Sequence, residues 1–70
     1  MTPVNAPMVG KILDIPVKVG DKVQEDDTIL VMEAMKMEIP IVAPVTGTIR
    51  EIKVAAGDMV QAEAVVALIE

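Results

Sequence analysis

Apolar and polar positions alternate along two stretches of this chain in the same way. Ile12 and Asp14 set an inward apolar and outward acidic alternation, and Ile49 and Glu51 repeat it 37 residues later, with the two-residue period of a half-buried sheet. The first stretch predicts a long strand over residues 10–19, a turn at Gly20-Asp21, a short pairing at Val23 and a strand over 28–33. The second predicts a strand over 47–54, a turn at Gly57-Asp58, a short pairing at Val60 and a last strand over 65–69. Pro3, Pro7, Pro40 and Pro44 fall where strands start or change sheet, because proline cannot donate within a central ladder.

The two stretches are copies. Residues 6–33 align without a gap on residues 43–70 at a constant offset of 37. The identical pairs are Ala6/Ala43, Pro7/Pro44, Gly10/Gly47, Ile12/Ile49, Ile15/Ile52, Val17/Val54, Gly20/Gly57, Asp21/Asp58, Val23/Val60, Gln24/Gln61 and Glu33/Glu70. All four glycines pair off, so the backbone turns are duplicated together with the apolar pattern. Two units are too few for an open solenoid, so the halves are expected to close on each other about a pseudo-twofold axis.

Between the copies lies a segment whose local preference conflicts with its context. Leu30, Met32, Glu33, Ala34, Met35, Lys36, Met37 and Glu38 are mostly good helix formers. The repeat overrules that preference, because 29–33 matches 66–70, where Val65-Val66 leads directly to the last residue. Met37 to Val42 then reads as a further apolar strand, and the two strands form a hairpin with residues 34–37 around its tip. Two-residue hairpin turns favour Asn-Gly or another pair tolerant of positive φ, and Met and Lys are poor choices there. The turn is either strained or longer than two residues, and its side chains are kept for another reason.

Composition narrows the possibilities. A chain of 70 residues allows one small domain, which buries only about 60% of its unfolded surface. It has no cysteine for disulfides and no histidine or cysteine for a structural zinc, so Val, Ile, Leu, Ala and Met must supply the stability. The absence of Phe, Tyr and Trp argues against the stacking platforms used on nucleic acids, and a net charge of −5 disfavours phosphate backbones and anionic membranes as partners. No apolar run approaches a membrane span and no signal peptide is evident, so a cytoplasmic location without direct membrane insertion is expected. Glu25-Asp26-Asp27 lacks the spaced ligands and central glycine of a calcium loop and reads as a charged turn, so no metal site is expected. Without His, Cys, Tyr or a convergent acid and base pair, an enzyme is not expected either.

The segment between the copies carries a family resemblance. Ala34-Met35-Lys36-Met37, preceded by Glu33 and flanked by duplicated halves, resembles the biotinyl domain of biotin-dependent carboxylases, decarboxylases and transcarboxylases. The similarity extends over essentially the whole chain, including Ala6-Pro7-Met8, Gly20-Asp21, 39–43, Gly47 and Gly57-Asp58. It implies an all-β fold: a flattened β-barrel, or barrel-sandwich hybrid, of two four-stranded antiparallel sheets with the lysine on a protruding hairpin. One biotinyl domain over 1–70 is implied, with halves 6–33 and 43–70 joined by the 34–42 segment. The ungapped halves leave no room for the inserted "thumb" of some bacterial acetyl-CoA carboxylase carriers, so the thumbless type is the nearer match.

The resemblance further implies that Lys36 carries covalent biotin. A biotin protein ligase would attach it from biotinyl-adenylate, and Glu33, Ala34, Met35 and Met37 would serve ligase or partner recognition. The implied function is a biotin carboxyl carrier, whose swinging arm shuttles carboxyl groups between active sites supplied by biotin carboxylase and carboxyltransferase or decarboxylase subunits. Elementary chemistry agrees that a ligase is needed, because an exposed ammonium is almost wholly protonated at neutral pH and is a poor nucleophile. Amide formation would also remove its charge and lower the desolvation cost of entering a partner's site.

Other readings stay open on residues alone. A lipoyl carrier shares the implied fold but resembles Asp-Lys-Ala at the tip, and an unmodified barrel-sandwich interaction module would need no arm at all. Met35 and Met37 serve either as apolar packing or as soft, adaptable partner contacts. Glu33 matches Glu70 in the other half and reads equally as a strand-end charge, while Glu38 reads as a solvated face. Lys11, Lys18, Lys22 and Lys53 occupy no symmetry-unique place and read as surface lysines.

Overall fold

The repeat is realised as two sheets that exchange their short strands. The computed structural model describes residues 1–70 and contains eight strands: β1 (Thr2–Asn5), β2 (Gly10–Asp14), β3 (Lys22–Val23), β4 (Thr28–Ala34), β5 (Met37–Val42), β6 (Gly47–Ile52), β7 (Met59–Val60) and β8 (Val65–Ile69). One four-stranded sheet has the order β1-β8-β6-β3 and the other β5-β4-β2-β7, with every pair antiparallel. Shifting by 37 residues carries β1, β2, β3 and β4 onto β5, β6, β7 and β8, and so converts one strand order into the other. The expected all-β architecture with pseudo-twofold symmetry is therefore present.

The exchange couples the halves. β3 leaves the first half to pair with β6, and β7 leaves the second to pair with β2. The turns follow the same rule: Gly20 N–H donates to Ile49 C=O at 2.8 Å and Ile49 N–H to Asp21 C=O at 2.8 Å, mirrored by Gly57 to Ile12 at 2.7 Å and Ile12 to Asp58 at 2.8 Å. Likewise Ala6 exchanges backbone hydrogen bonds with Glu63 and Ala64, and Ala43 does so with Asp26 and Asp27. The positions identical between the copies are thus largely those where one copy grips the other. At the Gly-Asp turns Gly20 and Gly57 have φ of 98° and 96°, a region that strongly favours glycine, while Asp21 and Asp58 accept hydrogen bonds from the N–H groups of Lys18 and Ala55.

The core lies between the sheets. Ile12, Ile29, Leu30, Met32, Ile49, Val66 and Ile69 are its largest fully buried side chains. Each contributes about 1.5–3 kcal/mol through burial. Facing rows of β-branched residues fill a thin core without aromatic rings.

Several boundaries differ from the sequence-based expectation. The strand expected over 10–19 ends at Asp14, and the one expected over 47–54 ends at Ile52. Beyond these points Ile15, Val17 and Val54 still pack partly against the core, but Pro16 offers no N–H and the chain turns toward the opposite sheet. β1 was not among the strands read from the alternation, although two four-stranded sheets require an eighth strand. It carries Pro3 and pairs with β8 along one sheet edge, as β5 carries Pro40 along the other, and an edge strand tolerates proline inside it. The pairs Pro3/Pro40 and Val4/Ile41 stand at the same 37-residue offset, so the repeat extends further toward the N-terminus than the 6–33 alignment.

Candidate functional site

The β4–β5 pairing is mirrored by β8–β1, but the turn that joins β4 to β5 has no counterpart in the other half. β4 and β5 pair in continuous register from Leu30↔Ile41 through Val31↔Pro40, Met32↔Ile39 and Glu33↔Glu38 to Ala34↔Met37. Only Met35 and Lys36 remain as the loop. Their φ angles are 53° and 64°, both in the left-handed region, as a type I′ hairpin turn requires. For L-residues other than Asn or Gly that region costs roughly 1–2 kcal/mol each. Of the two alternatives left by the sequence, the turn is the short, strained one.

The root of the hairpin is firmly anchored. Leu30 and Met32 are fully buried, and Ala34 is buried beneath the turn. Gly10 on β2 makes this approach possible: a Cβ there would lie 2.5 Å from the Glu33 carbonyl oxygen, 2.5 Å from Met32 Cε and 3.2 Å from Ala34 Cβ. The Met32 terminus could move aside, but the Glu33 carbonyl is backbone, so β2 and β4 pass this closely because residue 10 is glycine. The sequence placed Gly10 at the start of a strand and paired it with Gly47; its close-approach role emerges only from the packing.

Past this root the side chains extend beyond the core into solvent. Met35 is 82% exposed and Met37 66%, and Lys36 is exposed between them. The chain's two salt bridges are Arg50 with Glu70 and Lys53 with Glu51, so Lys36 has no internal ion-pair partner. Lys36 is thus an exposed primary amine, without an ion-pair partner, held on a two-residue turn.

The other expected site residues separate into two groups. Glu33, Met35 and Met37 lie on the exposed surface around Lys36. Ala34, expected among the recognition residues, is buried, with only 5% of its surface exposed. Glu33 also parts from its counterpart Glu70. The Glu70 carboxylate is 3.2 Å from Arg50 Nε, but position 13, which corresponds to Arg50, is leucine, and Glu33 has no ion pair. Glu33 is the penultimate residue of β4 and Glu70 directly follows β8, and only Glu70 is engaged in an ion pair. Asp27, in the acidic run read as a turn, accepts a hydrogen bond from Gln24 N–H at 2.8 Å. No helix is long and apolar enough to cross a membrane.

Comparison with known proteins agrees with this geometry. Residues 2–69 match the family model described as biotin-requiring enzyme. The gamma subunit of glutaconyl-CoA decarboxylase from Acidaminococcus fermentans is 60% identical over 35 residues, which are 50% of this chain and 24% of that subunit. The biotin carboxyl carrier protein of acetyl-CoA carboxylase from Solanum lycopersicum is 61% identical over 33 residues, 47% of each chain. The crystal structure of Kluyveromyces lactis urea carboxylase superposes with a TM-score of 0.94 and 32% identity, covering 99% of this chain and 6% of that one. This chain thus spans from a small part to about half of the length of the proteins it matches. With the duplicated sheets, the exposed Lys36 turn and a family match over nearly every residue, the chain belongs to the biotin-requiring enzyme family.

Proposed function

We propose that residues 1–70 act as one biotinyl domain, a biotin carboxyl carrier whose cofactor is joined through an amide to Lys36. The observation that carries this reading is the position of Lys36: an exposed, unpaired amine on the single hairpin that interrupts two matched halves. When attached, biotin supplies the ureido ring that accepts and releases a carboxyl group. The chain's own residues supply reach and presentation. The β4–β5 ladder holds the attachment atom beyond the core, Gly10 and Ala34 fix the root, and Met35 and Met37 offer soft apolar contacts beside Lys36. Glu33, with no ion-pair partner of its own, is available to a basic group on the ligase or on a carboxylase or decarboxylase component. The ligase, a biotin carboxylase and a carboxyltransferase or decarboxylase are the partners this role requires, in the cytoplasm where a ligase would meet the folded domain. Relatives that are a decarboxylase gamma subunit and an acetyl-CoA carboxylase carrier support the same role.

The test is to produce the protein in cells that contain both biotin and lipoyl ligases, measure its intact mass and map the modified residue. Biotin on Lys36 is the expected result, with the Lys36→Arg variant unmodified and fully folded. Lipoate on Lys36 would assign acyl transfer instead, and an unmodified protein would leave an interaction module.

A further inference from the structure

The methionines of this chain are graded by exposure in a way that bears on the same site. Cys, Trp, Tyr and His are all absent, so the six methionine thioethers are the only side chains that a mild two-electron oxidant attacks readily. Met32 is fully buried at the root of the hairpin, whereas Met35 and Met37 are 82% and 66% exposed at its tip. Met1 and Met59 are also exposed, but neither adjoins Lys36 in sequence, and Met59 lies on β7 at the far edge of its sheet from β5.

We propose that Met35 and Met37 form a reversible oxidation site that governs access to Lys36, an inference that rests on Lys36 being the acylated residue. The oxidant is a peroxide. A sulfur lone pair attacks one peroxide oxygen, the O–O bond breaks, the thioether loses two electrons to become a sulfoxide, and the other oxygen takes up the proton and leaves as water. Neither side chain contributes to the core, so the fold survives the change. The contact surface does not survive. Each soft apolar thioether becomes a polar, chiral group that accepts hydrogen bonds, on both sides of the amine a partner must grasp. Position adds to the effect, because Met35 and Met37 stand at the tip beyond the buried end of the core, so both thioethers stay open to the oxidant.

The experiment treats the unmodified full-length protein with graded hydrogen peroxide, maps sulfoxides by peptide mass spectrometry and measures the rate at which biotin protein ligase, biotin and ATP acylate it. Met35 and Met37 are expected to oxidise on the order of tenfold or more faster than Met32, with the far-ultraviolet circular dichroism unchanged. Acylation is expected to slow several-fold and to recover after treatment with methionine sulfoxide reductases A and B. A Met35→Leu/Met37→Leu variant, whatever its starting rate, should lose its dependence on peroxide although Met1 and Met59 still oxidise. Equal oxidation of Met32 and the tip methionines, an unchanged acylation rate, or persistent peroxide sensitivity in the double variant would overturn the proposal. If the untreated protein is not acylated at Lys36, the carrier assignment itself fails and the access role falls with it, while the sulfoxide map reports separately on the oxidation site.

Discussion

Glu33 and Glu38 face each other directly across the β4–β5 ladder, one residue pair below the Met35-Lys36 turn. Opposed residues of an antiparallel pair point to the same side, so two carboxylates share one exposed patch, and like charges placed this way destabilise a sheet. Neither takes part in a salt bridge. Replacing Glu38 by threonine is expected to stabilise the domain by about 0.2–1 kcal/mol, seen as a higher urea midpoint. A lower midpoint would mean that the pair is held by a favourable interaction.

The turn itself offers a larger gain. Met35 and Lys36 both occupy left-handed backbone, which Asn-Gly adopts with far less strain. A Met35→Asn/Lys36→Gly variant is expected to gain roughly 1–3 kcal/mol in stability while losing all acylation by the ligase. Thermal melts and intact mass measure the two effects on the same sample. Unchanged stability would show that the surrounding ladder already relieves the strain.

Gly10→Ala addresses the root. The added methyl meets the Glu33 carbonyl oxygen, which is backbone and cannot rotate aside, so β4 must shift. A loss of about 1–3 kcal/mol is expected, together with slower acylation at Lys36, because the displaced strand carries the turn. If stability falls and acylation does not, the root is not what positions the amine.

Exchange of the short strands predicts how the chain behaves when cut. Separate peptides 1–35 and 36–70 each supply only two of the four strands of either sheet, since β1 and β3 need β8 and β6, and β5 and β7 need β4 and β2. Each is expected to be unfolded alone by circular dichroism, and equimolar mixing should restore the β signal. A folded monomeric half would contradict the interlocked arrangement.

Much of this protein was legible in its residues because a repeat is a non-local constraint written in local terms. The 37-residue offset alone predicted two closed halves, overruled the helical preference around Met35, and set Lys36 apart from the other lysines. The last strand at Val65–Ile69 was readable because it is an uninterrupted apolar run, and the hairpin strand at Met37–Val42 because it is largely apolar and follows directly on the strand that ends the first copy. Packing decided the rest. A two-residue strand such as β3 or β7 has no periodicity to reveal its partner, so the exchange between sheets is set only when both halves are present. The burial of Ala34, the close passage of β2 at Gly10, and the contrast between a paired Glu70 and an unpaired Glu33 all depend on which atoms lie across a gap. Residue types and spacing named the amine; three-dimensional contact alone determined that it stands exposed and without a partner, since distance between side chains is not a property of sequence order.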